Sequence, residues 1–288
     1  MRAPLLLTVG LICAAQSAVS SDTTTLVVCA PGYPSDTVEA QPTMDALARG
    51  VESAAGWRAG RLSAAYHPTV EGGLEALGRD DAALAITPLP FYLEQRERLG
   101  LEPLLNVVQA AGAEEVWSLV ARRGAVLGPT SLAGWEVAGM PGYSPRFVQR
   151  IALAEWGALP QNTRVVFSSR VLSVLRKAAA GESVAALLDL AQTRALESLP
   201  FAAELEVVAR SRPLIGSLLC RVGGRLSDAT AHELHGAFLA LEQRDDGREL
   251  LETLRITRFE PLDRRSLATI ERVFGATEAT RASEAPPR

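Results

Sequence analysis

The chain has 288 residues, of which 48% are hydrophobic and 22% charged, and its formal net charge is −4. This much apolar content can offset the entropy of ordering a chain, which excludes a disordered polymer, and three cysteines are too few to staple this length as a disulfide scaffold. The mildly acidic total argues against a general nucleic-acid binder, which presents a basic face. Lys177 is the one lysine beside many arginines, a bias that together with abundant alanine reflects base composition rather than chemistry.

Met1-Arg2 is a minimal positive start, Leu5–Ala15 is a short apolar run, and Ala18 and Ser20 are spaced as a cleavage site requires. The run is too short to span a bilayer, so residues 1–20 read as a secretory signal peptide of an exported, periplasmic protein. Cys13 raises lipid anchoring as the second reading, but it lies inside the apolar run with Ile12, not a small residue, before it. Cys29 and Cys220 remain in the mature chain within apolar surroundings, which suits buried packing; a disulfide between them stays open.

The mature chain alternates strands and helices, and one pattern occurs twice. Thr25–Ala30 is a strand ending in Pro31-Gly32-Tyr33, and the helix after it carries Met44, Leu47, Ala48 and Val51 as one stripe. Leu74–Gly78 then closes a helix before the strand Ala82–Ile86. Later, Trp135–Met140 leads into Pro141-Gly142-Tyr143 and a helix with Phe147, Ile151 and Ala154 on one face; Val174–Ala180 closes a helix before the strand Val184–Leu188. Continuously apolar strands suit parallel pairing covered on both faces, so the sequence predicts two similar α/β lobes. The expected division is 21–113 plus 222–288 for the first lobe and 114–221 for the second. Glu115–Ala121 is one candidate crossing, and Leu205–Ala209 with Ser211-Arg212-Pro213 leads into the other. In open α/β sheets the loops after the strand carboxyl ends line the ligand crevice, so both Pro-Gly-Tyr loops are expected at one cleft. The helices of the last third, with the stripe Leu234, Ala237, Phe238 and Leu241, are expected on the first lobe, and Ala279–Arg288 as a frayed tail.

With Ala30–Thr37, Asp81–Tyr92 and Val165–Asp189 in view, the chain resembles the periplasmic solute-binding proteins of ABC-type importers. Within them it is most similar to the phosphate/phosphonate-binding branch with the type 2 periplasmic-binding-protein fold. The resemblance implies mixed or parallel sheets flanked by helices, ligand capture between lobes and hinge closure, and no chemistry on the ligand. It also implies a membrane permease as partner of a monomer. One departure stands out. Phosphonate binders of this family present a serine/threonine-rich segment at the start of a second-lobe helix, and here that place reads Gly142-Tyr143-Ser144-Pro145-Arg146-Phe147.

A small anionic ligand is also suggested by the residues themselves. Ser144-Pro145 is a strong helix start, whose free amides carry positive dipole, and Arg146 adds a two-pronged cation. Ser144 serves either as cap or as ligand donor, and Arg146 either grips the ligand or pairs with a carboxylate. Tyr33 and Tyr143 are candidates to stack on a ligand and offer a hydroxyl. Ser35 stands beside Tyr33, with Ser35 or Asp36 able to cap the next helix. Thr87 sits at a strand tip before Pro88. Ser168 and Ser169 repeat that geometry in the second lobe, one of them expected as an N-cap. Asp189 ends the strand Val184–Leu188, where it can receive a ligand amine or hold Arg146. Tyr66-His67-Pro68 offers an aromatic wall.

No enzyme constellation appears. His232 and His235 share a helix face without a third metal ligand, and neither a Gly-x-Ser-x-Gly elbow nor a phosphate loop is present. No catalytic residue, metal or cofactor is expected. A module that senses a ligand and feeds a signalling partner is the alternative to import.

Overall fold

The computed structural model describes residues 23–276; the expected leader 1–20 and the tail Ala279–Arg288 lie outside the described residues. The first half of the chain runs β1 (Thr24–Cys29), α1 (Thr37–Ala55), β2 (Leu62–His67), α2 (Val70–Leu77), β3 (Ala82–Pro88), α3 (Leu89–Leu99), β4 (Leu101–Gln109) and β5 (Ser118–Arg122). Next come β6 (Glu136–Gly139), α4 (Pro145–Phe147), β7 (Arg164–Phe167), α5 (Val171–Ala180), β8 (Val184–Leu188), α6 (Leu190–Ala195) and β9 (Leu205–Arg210). β10 (Ser217–Val222), α7 (Asp228–Ala240), α8 (Asp245–Thr253), β11 (Ile256–Pro261) and α9 (Arg264–Gly275) complete it.

Two mixed sheets form, in the orders β11-β4-β10-β3-β1-β2 and β7-β6-β8-β5-β9. The repeated pattern maps one onto the other. β1 lies parallel between β2 and β3, as β6 lies parallel between β7 and β8. In each sheet the third strand then takes an antiparallel neighbour that has just crossed from the other lobe, β10 beside β3 and β5 beside β8. β10 thus belongs to the first sheet, and the expected boundary at residue 221 falls inside a first-sheet strand. The return crossing is the segment 211–216.

Local chemistry explains the elements. Asp36 caps α1 by accepting from the Glu39 amide at 2.8 Å, and Gly56 ends it in the left-handed region at φ 67°. The stripe Met44, Leu47, Ala48 and Val51 is buried as its spacing predicts. The helix after Tyr143 is shorter than its periodicity suggests. Three α-helical residues give way to a π-turn over Val148–Ala152, which leaves Ala154 exposed rather than on the buried face.

The core has three parts. α1, α7 and α8 cover one face of the first sheet, where Phe238 meets Phe259 with ring centroids 4.8 Å apart. α5 covers the second sheet through Val174, Leu175 and Ala178. The third part joins the lobes, packing Phe91, Tyr92 and Cys220 with Phe147, Ile151 and Leu187. α9 belongs to this third part through Leu267, Ile270 and Phe274, so the last helix, unlike α7 and α8, departs from the expectation of first-lobe packing.

Gly142 is required by close approach, because a Cβ there would lie 2.2 Å from the Val166 carbonyl oxygen. Gly142→Ala must therefore push the second Pro-Gly-Tyr loop off β7, a destabilisation of about 1–3 kcal/mol. Urea denaturation measures it, and an unchanged midpoint would contradict the packing described.

Candidate ligand cleft between the lobes

Both Pro-Gly-Tyr loops meet at one cleft. Pro31, Tyr33, Pro88, Pro90 and Ser217 line it from the first lobe, and Met140, Pro141 and Tyr143 from the second, with Glu115, Trp117 and Gly216 at the crossings. With the lobes together the cavity between them is only about 20 Å³, room for about one water molecule; the surrounding space reaches about 380 Å³ when open solvent is counted. Gly32, at φ 87°, turns the first loop so tightly against the second lobe that a Cβ would sit 3.1 Å from Phe167 and 3.2 Å from Met140. The lobes are closed on each other.

Tyr33 is 40% exposed over the whole residue, yet its ring end reaches the second lobe and donates to Asp189 Oδ2 at 3.5 Å. Burial of that end, then the charges of Asp189 and Glu115, push its phenol well above the ordinary value. Tyr66 holds the loop from beneath, its hydroxyl donating to the carbonyls of Pro34 at 3.1 Å and Tyr33 at 3.4 Å, so it buttresses Tyr33.

Asp189 caps α6. Its Oδ1 accepts from the Gln192 amide at 2.7 Å and the Gln192 side chain returns a contact to the Asp189 amide at 3.2 Å. Burial raises its pKa, opposed by the Gln192 amide, the Tyr33 hydroxyl and the Ala191 amide. Asp189 does not hold Arg146.

Sequence reasoning overlooked Glu115. Its Oε1 accepts from the Leu190 amide at 2.6 Å and the Val116 amide at 3.0 Å. Burial lifts its pKa to about 7, the backbone amides opposing and the Asp189 charge adding to the rise. A carboxylate heading the apolar run Glu115–Ala121 was the available signal. The described lining residues include no arginine or lysine, and Glu115 is the one charged residue among them.

The remaining candidates are scattered. Tyr143 lines the cleft and its buried hydroxyl has no hydrogen-bond partner; burial holds its pKa high, the nearby Phe91 amide opposing. Thr87 is fully buried with Oγ1 unpartnered, one residue from Pro88 in the lining. Ser118, beside Trp117, is likewise buried and unpartnered. Ser35 is exposed, at φ 90°, and its hydroxyl donates to Glu39 at 3.0 Å on α1, which draws it away from the cleft. Ser168 is half-buried and Ser169 exposed. Neither caps α5, since the N-cap is Arg170 and makes no side-chain bond.

Ser144 and Arg146 turn to the first lobe. Ser144 accepts from the Phe147 amide at 3.3 Å, the expected cap, and donates to Glu94 Oε1 at 2.6 Å. Arg146 pairs with Glu94 Oε2 at 3.1 Å and lies over the Phe274 ring at 4.0 Å. Arg146 is not among the lining residues, and its planar cation is spent on a carboxylate and an aromatic face.

Cys29 and Cys220 are both free and buried, which closes the disulfide alternative. His232 and His235 stack with centroids 6.5 Å apart on α7, and no group of three metal-ligating side chains occurs among the described residues. No helix of the described residues is long and apolar enough to cross a membrane.

The fold and this site can be set beside known proteins. A protein from Xanthomonas citri, seen bound to chloride ion and in a second structure to ATP, superposes with a TM-score of 0.68 at 15% identity, covering 91% of this chain and 100% of that one. The binding-protein component of an ABC phosphonate transporter from Pseudomonas aeruginosa gives 0.59 at 17%, covering 88% and 86%. PhnD1 from Prochlorococcus marinus, in complex with methylphosphonate, gives 0.58 at 12%, covering 92% and 100%. At these identities the likeness concerns the fold, which is that of two-lobed periplasmic binding proteins. No curated protein sequence matches the chain. The profile of one family, described as ABC transporter, phosphonate, periplasmic substrate-binding protein, matches residues 18–267, and the chain belongs to that family.

Proposed function

We propose that the cleft takes a small zwitterion, an oxyanion joined to an ammonium group as in an aminoalkylphosphonate. Capture of a small ligand in the periplasm for delivery to the membrane permease of an ABC importer comes with the family. The chemistry of the ligand is read from the cleft. The observation that carries it is Glu115, a cleft carboxylate with Asp189 beside it and no cation in the described lining to balance either. A bare oxyanion brought there meets like charge, whereas an ammonium relieves it.

Tyr143 Oη, in the cleft lining, is a hydroxyl without a partner; Thr87 Oγ1 and Ser118 Oγ, each one residue from the lining, are also unpartnered. A buried hydroxyl left unpaired costs about 1–3 kcal/mol, which an oxyanion accepting from it recovers. Tyr33 closes the arrangement, and its hydroxyl reports lobe closure directly because it reaches Asp189 only when the lobes meet. Export by a cleaved leader, and action as a monomer, complete this reading.

Calorimetric titration with 2-aminoethylphosphonate and with methylphosphonate separates the two halves of the ligand. The aminated compound is expected to bind at least about tenfold more tightly, one charge-assisted hydrogen bond contributing about 1.5–3 kcal/mol. Equal or reversed affinities would remove the ammonium from the reading.

Glu115 also sets a pH dependence. Its folded pKa near 7 lies above the unfolded value, so the folded state holds the proton more tightly and loses stability as pH rises from the unfolded pKa through 7. The charged form binds the ammonium, so the preference for the aminated compound grows as pH rises from about 6 to about 8. Glu115→Gln removes both effects while its amide oxygen continues to accept from Leu190 and Val116. The variant is expected to melt higher than wild type at about pH 8, by the equivalent of about 1–3 kcal/mol, and to lose the preference for the amine. A variant that keeps a pH-dependent amine preference would exclude Glu115 from the site.

A further inference from the structure

The carboxylate of Glu94, on α3 of the first lobe, sits at the start of the short second-lobe helix α4. One oxygen accepts from the buried Ser144 hydroxyl at 2.6 Å and the other from Arg146 at 3.1 Å. These are two of the second-lobe groups that the sequence offers to an anion, and a first-lobe side chain already fills them. The same first-lobe helix is tied to α9. Tyr92 donates to Glu271 Oε1 at 2.5 Å and Arg96 pairs with that oxygen at 2.9 Å. From there α9 reaches the second lobe, with Phe274 under the Arg146 guanidinium at 4.0 Å and the Phe274 carbonyl accepting from Arg150 at 3.1 Å.

We infer that Glu94 is a built-in counter-ion which latches the empty protein shut. Its carboxylate itself bridges the lobes, and α9, bonded to α3 through Glu271 and packed on Arg146 through Phe274, holds both sides beside it. Closure in the family's capture cycle is driven by ligand; here part of that drive is supplied by the chain itself, so the closed form is populated before ligand arrives. Arg146 is thereby a positioning residue for closure and not a ligand contact. Both ends of the latch are polar and one is solvent-facing, Arg146 being 45% exposed at its side chain, so it is able to open.

Double electron–electron resonance on ligand-free protein tests this. Nitroxides on V38C in α1 and L172C in α5 occupy exposed positions in the two lobes, and the native thiols are buried out of reach of the label. Wild type is expected to show one short-distance population. Glu94→Ala is expected to add a longer one, with the closed-to-open ratio falling about tenfold, the worth of one charge-assisted hydrogen bond. Arg146→Ala should do the same from an exposed side chain and keeps the test decisive if Glu94→Ala fails to fold. An unchanged distance distribution in the folded variants, or an already open wild type, overturns the latch. No ligand enters the measurement, so failure of the zwitterion titrations leaves the latch standing, and the reverse holds too.

Discussion

Everything in this molecule hangs on two strand exchanges. Each sheet completes itself with a strand that has just returned from the other lobe, and the segments 110–117 and 211–216 that carry the chain across run side by side. Glu115 and Leu214 exchange backbone hydrogen bonds at 2.8 and 2.9 Å, and Ser211 bonds to Trp117 through its amide at 2.8 Å and its hydroxyl at 3.0 Å. Two crossings bonded to each other resist sliding and permit bending, which is the mechanical requirement for hinge closure. Glu115 is therefore both a pivot residue and a wall of the cleft. A ligand group that changes its charge state acts where the lobes turn.

The electrostatic plan follows from the same closure. With a net charge of only −4, the protein exerts no strong overall pull on an anion, and the local charges decide. The arginine nearest the Pro-Gly-Tyr loop of the second lobe is consumed by Glu94 and Phe274, while the carboxylates Glu115 and Asp189 are left beside the cleft with backbone amides and a phenol as their partners. Cation and anion are distributed so that the second lobe satisfies itself against the first lobe at one place and leaves unmet demand at another.

How much of this was legible in the sequence depends on the range of the interaction. The strand Val184–Leu188 has the predicted bounds, and Ala82–Ile86 is extended only to Pro88, because a continuous apolar run that follows acidic residues is a local signal. Ser144 as a cap was likewise readable, since its partner Phe147 is three residues away. Glu94 was not, because its meaning comes from partners 50 and 52 residues further on. Ser35 misled for a related reason: nothing in Pro34-Ser35-Asp36 tells which of the two polar residues caps α1, and the hydroxyl that lost that competition turned to Glu39. The early stop of the helix at Ala152 was hidden by a periodicity that a π-turn breaks, and the bridging role of α9 by an apolar stripe that names a buried face but not what buries it.

Cys29 and Cys220 lie on strands separated by β3, in pairing with it from either side, and both thiols are held neutral by burial well above their ordinary pKa. The Cys29 sulfur is packed so closely that a Cβ on Gly73 would lie 2.2 Å from it. Only the thiolate attacks a disulfide, so burial disfavours thiol–disulfide exchange at both cysteines in the folded protein. The unfolded chain has no such shelter. Assembly of the first sheet is what hides both sulfurs.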